Sequence, residues 1–187
     1  MERREERAEI RAARRKAVLS RTVLRSRSVY DVPAVSVIRC ACGVVLQPVK
    51  GKVISSQQIP DETFASGLLG VCVGVVPEDE VVRAPFDGTV LAIADTRHAV
   101  ILASGGMEVL IHIGIDTACM KGDGFLLLVR EGSQVRAGQP LIRFDLAKIR
   151  AAGYPDMVIV SLTNSDELED VEAGPQDVAV PPDEGGM

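Results

Sequence analysis

The chain has 187 residues, of which 47% are hydrophobic, and it carries a net charge of −5. This length suits one domain with a substantial core plus terminal extensions. Aromatic residues make up only 3% of the chain and tryptophan is absent. Stacking platforms for single-stranded nucleic acid are therefore not expected, and we predict no nucleic-acid partner. No apolar run approaches the roughly 18 to 20 residues of a membrane span, and no secretory signal is recognisable, so the sequence predicts a cytoplasmic protein.

Charge is distributed unevenly along the chain. Residues 1–30 carry 10 basic and 4 acidic side chains, whereas the remainder carries 11 basic and 22 acidic ones. We interpret residues 1–33 as a basic extension, partly helical or disordered. Within it, residues 1–27 could alternatively lie as a surface helix on anionic lipid, at the inner face of the membrane. Residues 173–187 are acidic and rich in proline and glycine, which predicts a disordered tail.

The body of the chain, residues 34–172, reads as a succession of short β-strands. Valine, isoleucine and leucine runs are separated by turn residues, and no long helical periodicity interrupts them. The predicted strands cover residues 35–45, 51–55, 70–76, 88–94, 98–103, 108–114, 125–129, 139–144 and 157–162.

Two of these segments look duplicated. "QPVKGKVIS" (47–55) and "APFDGTVLA" (84–92) share the pattern Pro-x-x-Gly-x-Val, in which proline closes a turn and glycine opens a strand. A third unit, "EGSQVRAGQPLIRFD" (131–145), has a related rhythm. We therefore predict an all-β fold, an antiparallel hybrid of sandwich and barrel with a duplicated β motif and only short helical segments.

The four cysteines do not follow the spacing of a zinc finger. Cys40 and Cys42 would share one face of a strand, which is compatible with a soft-metal site. The interpretation favoured by composition is that Cys40, Cys42, Cys72 and Cys119 are buried small hydrophobes in a reducing compartment.

The stretch "VLIHIGIDT" (109–117) places a histidine inside an apolar strand. Alternation of side chains assigns Val109, Ile111, Ile113 and Ile115 to the core face. The opposite face carries Leu110, His112, Gly114 and Asp116, where the glycine leaves room for another group. His112 is therefore a candidate site residue.

The only other histidine, His98, lies on the preceding strand of a predicted hairpin. A three-residue turn centred on Gly105 would place His98 directly opposite His112 and Thr96 opposite Gly114. A turn of even length would instead put the two histidines on opposite faces of the sheet.

Two neighbouring imidazoles permit three kinds of chemistry. Mutual repulsion favours at least one neutral ring near pH 7, and a neutral ring has a lone pair on one nitrogen. The pair could hold zinc, transfer protons, or carry a phosphoryl group as phosphohistidine. Neither His-x-His nor a glycine-rich nucleotide-binding loop occurs, so phosphate would have to come from another protein.

Residues 45–171 resemble a known family, the glucose-type enzyme IIA component of the bacterial phosphoenolpyruvate-dependent sugar phosphotransferase system. The resemblance is carried by "APFDGTV" (84–90), "DTRHAV" (95–100), "LIHIGIDT" (110–117), "KGDGF" (121–125), "EGSQVRAGQPLIRFDL" (131–146) and "VIVSLTN" (158–164).

The resemblance implies a phosphocarrier. His112 would accept a phosphoryl group at Nε2 from the phosphocarrier protein HPr and pass it to a cysteine of the IIB domain of a sugar permease. His98 would hold phosphate oxygens during transfer, and Thr96 would orient His98. Gly114 and Asp116 would set the tautomer of His112 and contact partners.

The resemblance also implies an apolar rim for docking partners and no required cofactor. The residues matching this rim are Phe64, Leu68, Leu69, Leu110 and Ala118. An alternative is a regulatory binding protein that uses the same face to control transporters or metabolic enzymes. In that alternative a zinc ion could be shared at His98 and His112 at a partner interface.

Overall fold

The computed structural model describes residues 35–177, which form thirteen strands and two short helices. The strands are β1 (Val35–Cys40), β2 (Gly43–Leu46), β3 (Gly51–Ser55), β4 (Val71–Pro77), β5 (Val81–Arg83), β6 (Gly88–Ile93), β7 (Ala99–Ser104), β8 (Met107–Ile113), β9 (Phe125–Leu127), β10 (Gln134–Val135), β11 (Pro140–Phe144), β12 (Val158–Leu162) and β13 (Glu172–Asp177). The helices are α1 (Glu62–Ala65) and α2 (Leu146–Ala151). The predicted extension, residues 1–33, lies outside the described residues, as does the tail beyond residue 177.

All strand pairs of the described chain are antiparallel, which confirms the predicted all-β class. The largest sheet has seven strands in the order β10-β6-β7-β8-β12-β4-β3, and two three-stranded sheets have the orders β13-β1-β2 and β5-β11-β9. Gly51 and Gly88 each open a strand, as the Pro-x-x-Gly-x-Val pattern predicts. No helix among the described residues is long and apolar enough to cross a membrane.

The two faces of the seven-stranded sheet enclose two separate apolar clusters. On β8, Val109, Ile111 and Ile113 belong to the main core, which also contains Leu141 and Phe144 from β11 of one small sheet. The alternation predicted for this strand is therefore confirmed. The opposite face carries a smaller cluster, which we call the site-side cluster: Ile59, Phe64, Leu69, Cys72, Ala99, Ile101, Leu110, Ile115 and Ile159.

The prediction that the side chain of Ile115 lies on the core face of the strand was wrong. Ile115 lies beyond the end of β8 and joins Leu110 in the site-side cluster rather than the main core. Strand alternation ends at Gly114, whose φ of 73° turns the chain away from the extended conformation.

The C-terminal boundary of the predicted domain was also wrong. Residues 173–177, assigned to a disordered tail, belong to strand β13, which pairs with β1. Ser36 lies opposite Gln176 and Ile38 opposite Ala173, so β13 has an extra residue at this point. Such a bulge on an edge strand accommodates Pro175, which has no N–H to donate. The acidic, proline- and glycine-rich composition of this segment did not predict a strand. An edge strand can pair through its main chain without an apolar sequence.

Candidate functional site

His112 lies near the end of β8, in the middle of the seven-stranded sheet. Its backbone neighbours are Ala99 on β7 and Ile159 on β12, so the residue is held on both sides by strand pairing. Its side chain lies on the face of the site-side cluster and is only 5% exposed. A histidine held in this way has few conformations available to it, which favours a defined chemical orientation.

The backbone after His112 determines which of its ring nitrogens carries the proton. Nδ1 of His112 lies 2.8 Å from the carbonyl oxygen of Gly114. A carbonyl can only accept a hydrogen bond, so Nδ1 must be the donor. In the neutral ring Nε2 then has the lone pair, which makes it the nucleophilic nitrogen.

Gly114 can present its carbonyl to the ring because it adopts a left-handed conformation. Its N–H donates to the carbonyl of Met157 at 2.8 Å, and the N–H of Ile115 donates to Pro155 at 3.0 Å. A Cβ at position 114 would lie 2.3 Å from Cγ2 of Thr117 and 3.0 Å from the Pro155 oxygen. Only glycine fits this turn without rearrangement of its neighbours.

Thr117 is a supporting residue that the sequence pattern did not predict. It is fully buried, and its hydroxyl donates to the carbonyl of Ile113. Its methyl group fills the space beside Gly114. A threonine three residues after a glycine is a weak signal, so the sequence alone could not single it out.

His98 reaches His112 by a different route from the one predicted. The β7–β8 turn contains two residues, Gly105 and Gly106, with φ of 56° and 94°. Positive φ at both central residues is typical of a type I′ hairpin turn, so the loop has even length. His112 therefore pairs with Ala99, and the predicted direct pairing of His98 with His112 was wrong.

The two imidazoles are nevertheless in contact, with ring centroids 4.6 Å apart and planes at 82°. His98 precedes β7 and belongs to the loop after β6, where Arg97 has a φ of 62°. Because the regular alternation of β7 begins only at Ala99, the side chain of His98 is not confined to the face that strand pairing would impose. His98 is 6% exposed, and its Nδ1 lies 2.7 Å from the hydroxyl of Thr96. The same loop thus supplies both the second histidine and its hydrogen-bonding partner.

Phe64 packs directly against His112, with ring centroids 5.3 Å apart at an angle of 60°. It is carried by α1, whose N-terminus is capped by Asp61: the carboxylate accepts from Thr63 N at 2.8 Å and Phe64 N at 3.3 Å. This cap supplies partners for backbone N–H groups that the short helix cannot satisfy itself. The sequence placed Phe64 in a docking rim, whereas the structure places it at 5% exposure beside His112.

The other predicted rim residues divide into exposed and buried ones. Leu68 is 62% exposed, and Ala118 is half-buried in the turn after β8. Leu69 and Leu110 are buried in the site-side cluster, at 8% and 3% exposure. Among the predicted rim residues, only Leu68 therefore exposes a large apolar side chain, while Leu69 and Leu110 pack within the site-side cluster.

Asp116 follows Gly114 and is exposed, with a φ of 59°. Its backbone carbonyl accepts from the N–H of Cys119 at 3.1 Å, which starts the turn of Thr117–Met120. The side chain of Asp116 makes no capping hydrogen bond to this turn.

The site-side cluster also contains a thiol, that of Cys72. It is 4% exposed and donates to the carbonyl of Phe64 at 3.2 Å. Burial raises the pKa of this thiol to about 11. Cys72 matches the prediction of a buried cysteine, but that prediction was wrong for Cys42 and Cys119, which are exposed. Cys40 is half-buried.

Within residues 35–177, no group of three or more histidine, cysteine, aspartate or glutamate side chains is arranged to hold a metal ion. Structural zinc sites usually have four protein ligands and catalytic ones three. His98 and His112 alone would leave zinc dependent on ligands from another protein.

Comparison with known proteins gives a consistent result. A sequence model of the family described as "phosphoenolpyruvate-dependent sugar phosphotransferase system, EIIA 1" matches residues 43–168. The beta-glucoside-specific EIIBCA component of the PTS system from Dickeya chrysanthemi is 43% identical over 129 residues, which cover 68% of this chain and 20% of that protein. The mannose-specific EIIBCA component from Corynebacterium glutamicum is 38% identical over 136 residues, covering 72% of this chain and 20% of that protein.

The fold has a solved counterpart, the glucose permease IIA from Mycoplasma capricolum. The two chains share 28% identity with a TM-score of 0.61, and the match covers 69% of this chain and 92% of the other. The chain described here spans about a fifth of the length of the curated relatives it matches.

Proposed function

Because the chain belongs to the EIIA 1 family of the phosphoenolpyruvate-dependent sugar phosphotransferase system, as the sequence motifs suggested, we propose that it is a phosphocarrier with His112 as its phosphorylated residue. The observation that supports this role best is the hydrogen bond from His112 Nδ1 to the Gly114 carbonyl. It leaves the lone pair of the neutral ring on Nε2, where an incoming phosphoryl group would bind.

In the proposed reaction, Nε2 of His112 attacks the phosphorus of phosphorylated HPr, and the bond to the HPr histidine breaks. The phosphoryl group then moves to a cysteine of a IIB domain. Transfer between two protein nucleophiles depends mainly on positioning and charge stabilisation, because the transferred group brings its own negative charge. No cofactor takes part in this proposal.

His98 is proposed to stabilise the phosphoryl group during transfer. Its ring contacts that of His112 at a centroid distance of 4.6 Å. If the Thr96 hydroxyl donates to Nδ1 of His98, the proton of the neutral ring is on Nε2, where it can be donated to a phosphate oxygen. Thr96 is thus a positioning residue, which acts through His98.

Leu68 and Ala118 are the proposed surface for HPr and IIB, with Asp116 beside them. The buried residues Phe64, Leu69 and Leu110 support this surface from below. The relatives are named EIIBCA components, so in those proteins the A segment is part of the same chain as a B and a C segment. This supports a IIB domain as a partner. HPr is proposed from the family alone. Because these partners act in the cytoplasm, we propose that the protein acts there too. We also propose that residues 1–27 contact the inner face of the membrane.

The alternative of a regulatory binding protein is not favoured, because the matched relatives are named as components of sugar transport systems. The distinguishing experiment is phosphorylation by phosphoenolpyruvate, enzyme I and HPr. Wild-type protein should gain one acid-labile phosphate, located on His112 by peptide mass spectrometry.

The two histidines provide matched variants for this experiment. His112→Ala should gain no phosphate, because the nucleophile is absent. His98→Ala should accept phosphate but transfer it poorly to a IIB domain. Labelling of His112→Ala at the wild-type level would refute the assignment of His112, and normal donation by His98→Ala would refute the role of His98.

A further inference from the structure

Two of the four cysteines lie at the β1–β2 hairpin, one at the end of β1 and one in the turn, far along the chain from the proposed phosphorylation site. Cys40 is the last residue of β1 and pairs with Gly43, so Ala41 and Cys42 are the two residues of the turn. Cys42 is exposed and Cys40 is half-buried. Cys40 is one of the groups that raise the pKa of the Cys42 thiol, which indicates that the two side chains are near each other. The proposed phosphocarrier function uses neither of them.

The turn is held in place by its surroundings. The N–H of Ala41 donates to the carbonyl of Glu169 at 3.0 Å, and the Cys40 thiol faces the Gly43 carbonyl at 3.7 Å. On its other side, the Cys42 sulfur lies 3.7 Å from the position that a Cβ of Gly106 would occupy, so the turn also contacts the β7–β8 turn. The thiols are therefore already close before any reaction, which favours an intramolecular step over an intermolecular one.

The covalent geometry of the turn permits a bond between the two sulfurs. A disulfide requires Cα atoms about 4.4 to 6.8 Å apart. Residues two apart in a chain cannot be separated by more than about 7 Å, and a turn brings them closer. Chain geometry alone therefore puts the Cα atoms of Cys40 and Cys42 within the range of a disulfide.

We propose that Cys40 and Cys42 are an oxidisable dithiol that closes to a disulfide within the β1–β2 turn. With a small disulfide such as oxidised glutathione as oxidant, the Cys42 thiolate attacks one glutathione sulfur and releases the first glutathione thiolate. The Cys40 thiolate then attacks the Cys42 sulfur and releases the second. The two cysteines lose two electrons and two protons, and the oxidant is reduced to two glutathione thiols.

The charges around the turn determine how the reaction depends on pH. Although Cys42 is exposed, partial desolvation of its sulfur is the main cause that raises the pKa of the thiol, and the neighbouring Cys40 and the Glu169 carboxylate raise it further. The attacking thiolate is therefore scarce at neutral pH. Since its population grows about tenfold per pH unit below the pKa, oxidation should be slow at pH 7 and about tenfold faster at pH 8.

The other cysteines offer internal controls. Cys119 is exposed but lies in the turn after β8, at the opposite end of that strand from the β7–β8 turn. It should therefore form only a mixed disulfide with glutathione. Cys72 is buried, and its raised pKa should leave it unmodified in the folded protein.

Trypsin separates all three cases, because residues 40–50, 53–83 and 98–121 are released as different peptides containing the turn pair, Cys72 and Cys119. The full chain would be incubated with oxidised glutathione, quenched with acid and N-ethylmaleimide, and digested. We expect the 40–50 peptide to lose two hydrogens and carry no label, while the 98–121 peptide gains one glutathione.

Single serine variants identify the resolving step. In Cys40→Ser, the first attack remains but the second cannot occur, so glutathione should stay on Cys42. The proposal would be overturned if the wild-type 40–50 peptide retained glutathione on Cys42 to the same extent as this variant. It would also be overturned if both cysteines of that peptide were alkylated while Cys119 was fully oxidised.

Discussion

Substitution of Gly114 by alanine tests the link between backbone geometry and the chemistry of His112. The residue has a φ of 73°, and an added Cβ would lie 2.3 Å from Cγ2 of Thr117. A left-handed conformation costs a non-glycine residue about 1–2 kcal/mol. Overpacking against the buried Thr117 methyl adds about 1–3 kcal/mol. Alanine also lowers the conformational entropy of the unfolded chain, which offsets these penalties by about 0.4–1 kcal/mol. We therefore expect the free energy of unfolding to fall by about 1–5 kcal/mol, with a central value of about 3 kcal/mol.

Gly132 provides the matched control for this variant. Its φ is 79°, close to that of Gly114, but an added Cβ would have no atom within 4 Å. Gly132→Ala should therefore suffer only the backbone penalty, about 1 kcal/mol after the entropy gain. Urea denaturation of the two variants and the wild type measures the difference. Equal destabilisation at both positions would refute the argument that Gly114 is required by its close contacts.

A second substitution tests which contact is responsible. Thr117→Ser removes the Cγ2 methyl and retains the hydroxyl that donates to the Ile113 carbonyl. In the double variant the 2.3 Å contact disappears, so Gly114→Ala should become less costly by about 1–2 kcal/mol than in the wild-type background. Gly114→Ala should also accept phosphate more slowly, because the Gly114 carbonyl is moved away from His112 Nδ1. In the double variant phosphate acceptance should recover, because the carbonyl can return towards Nδ1. Simple additivity of the two substitutions would show that the methyl contact is not the cause.

Three further predictions concern other parts of the site. Thr96→Val should slow phosphate donation to a IIB domain about tenfold, since loss of the hydrogen bond to His98 costs about 1.5 kcal/mol. Thr96→Ser keeps the hydroxyl and should donate at nearly the wild-type rate. Equal donation rates for the two variants in a IIB transfer assay would contradict this prediction. Leu68→Asp should weaken phosphorylation by HPr at limiting HPr, whereas Leu126→Asp, at a similarly exposed leucine on β9, should not; steady-state kinetics separate them. Burial raises the pKa of the Cys72 thiol to about 11. The thiol of the unfolded chain therefore ionises at a lower pH than that of the folded protein, and the free energy of unfolding of the wild type should fall by up to about 2–3 kcal/mol relative to Cys72→Ala between about pH 9 and 11. Parallel curves of unfolding free energy against pH for the two proteins would contradict this prediction.

The sequence predicted the parts of the fold that depend on side-chain pattern. The face of His112 followed from alternation with Val109 and Ile111, both of which are in the main core. Strands β5 and β10 have only three and two residues, too few for any pattern to be recognised. Strand β13 depends on backbone pairing at a sheet edge, which side-chain pattern does not report.

The contact between the histidines shows how a correct proximity can be predicted from a wrong register. The hairpin argument required an odd turn, but two glycines with positive φ formed a two-residue one. His98 still reaches His112, because it lies in the loop before β7 and escapes the alternation of the strand. Loop conformation depends on long-range contacts, so local sequence pattern does not predict it. The position of Phe64 against His112 could not be predicted from local pattern either, since tertiary packing brings α1 there.

The use of a backbone carbonyl to orient His112 has a chemical consequence. A carboxylate at the same position would also accept from Nδ1, but its negative charge would favour the imidazolium and remove the lone pair from Nε2. It would also repel the incoming phosphoryl group. The neutral Gly114 carbonyl fixes the tautomer without adding charge. Because the left-handed conformation of Gly114 turns its carbonyl towards the ring, and close contacts exclude a Cβ there, the glycine two positions after the histidine is as much part of the proposed site as the ring itself.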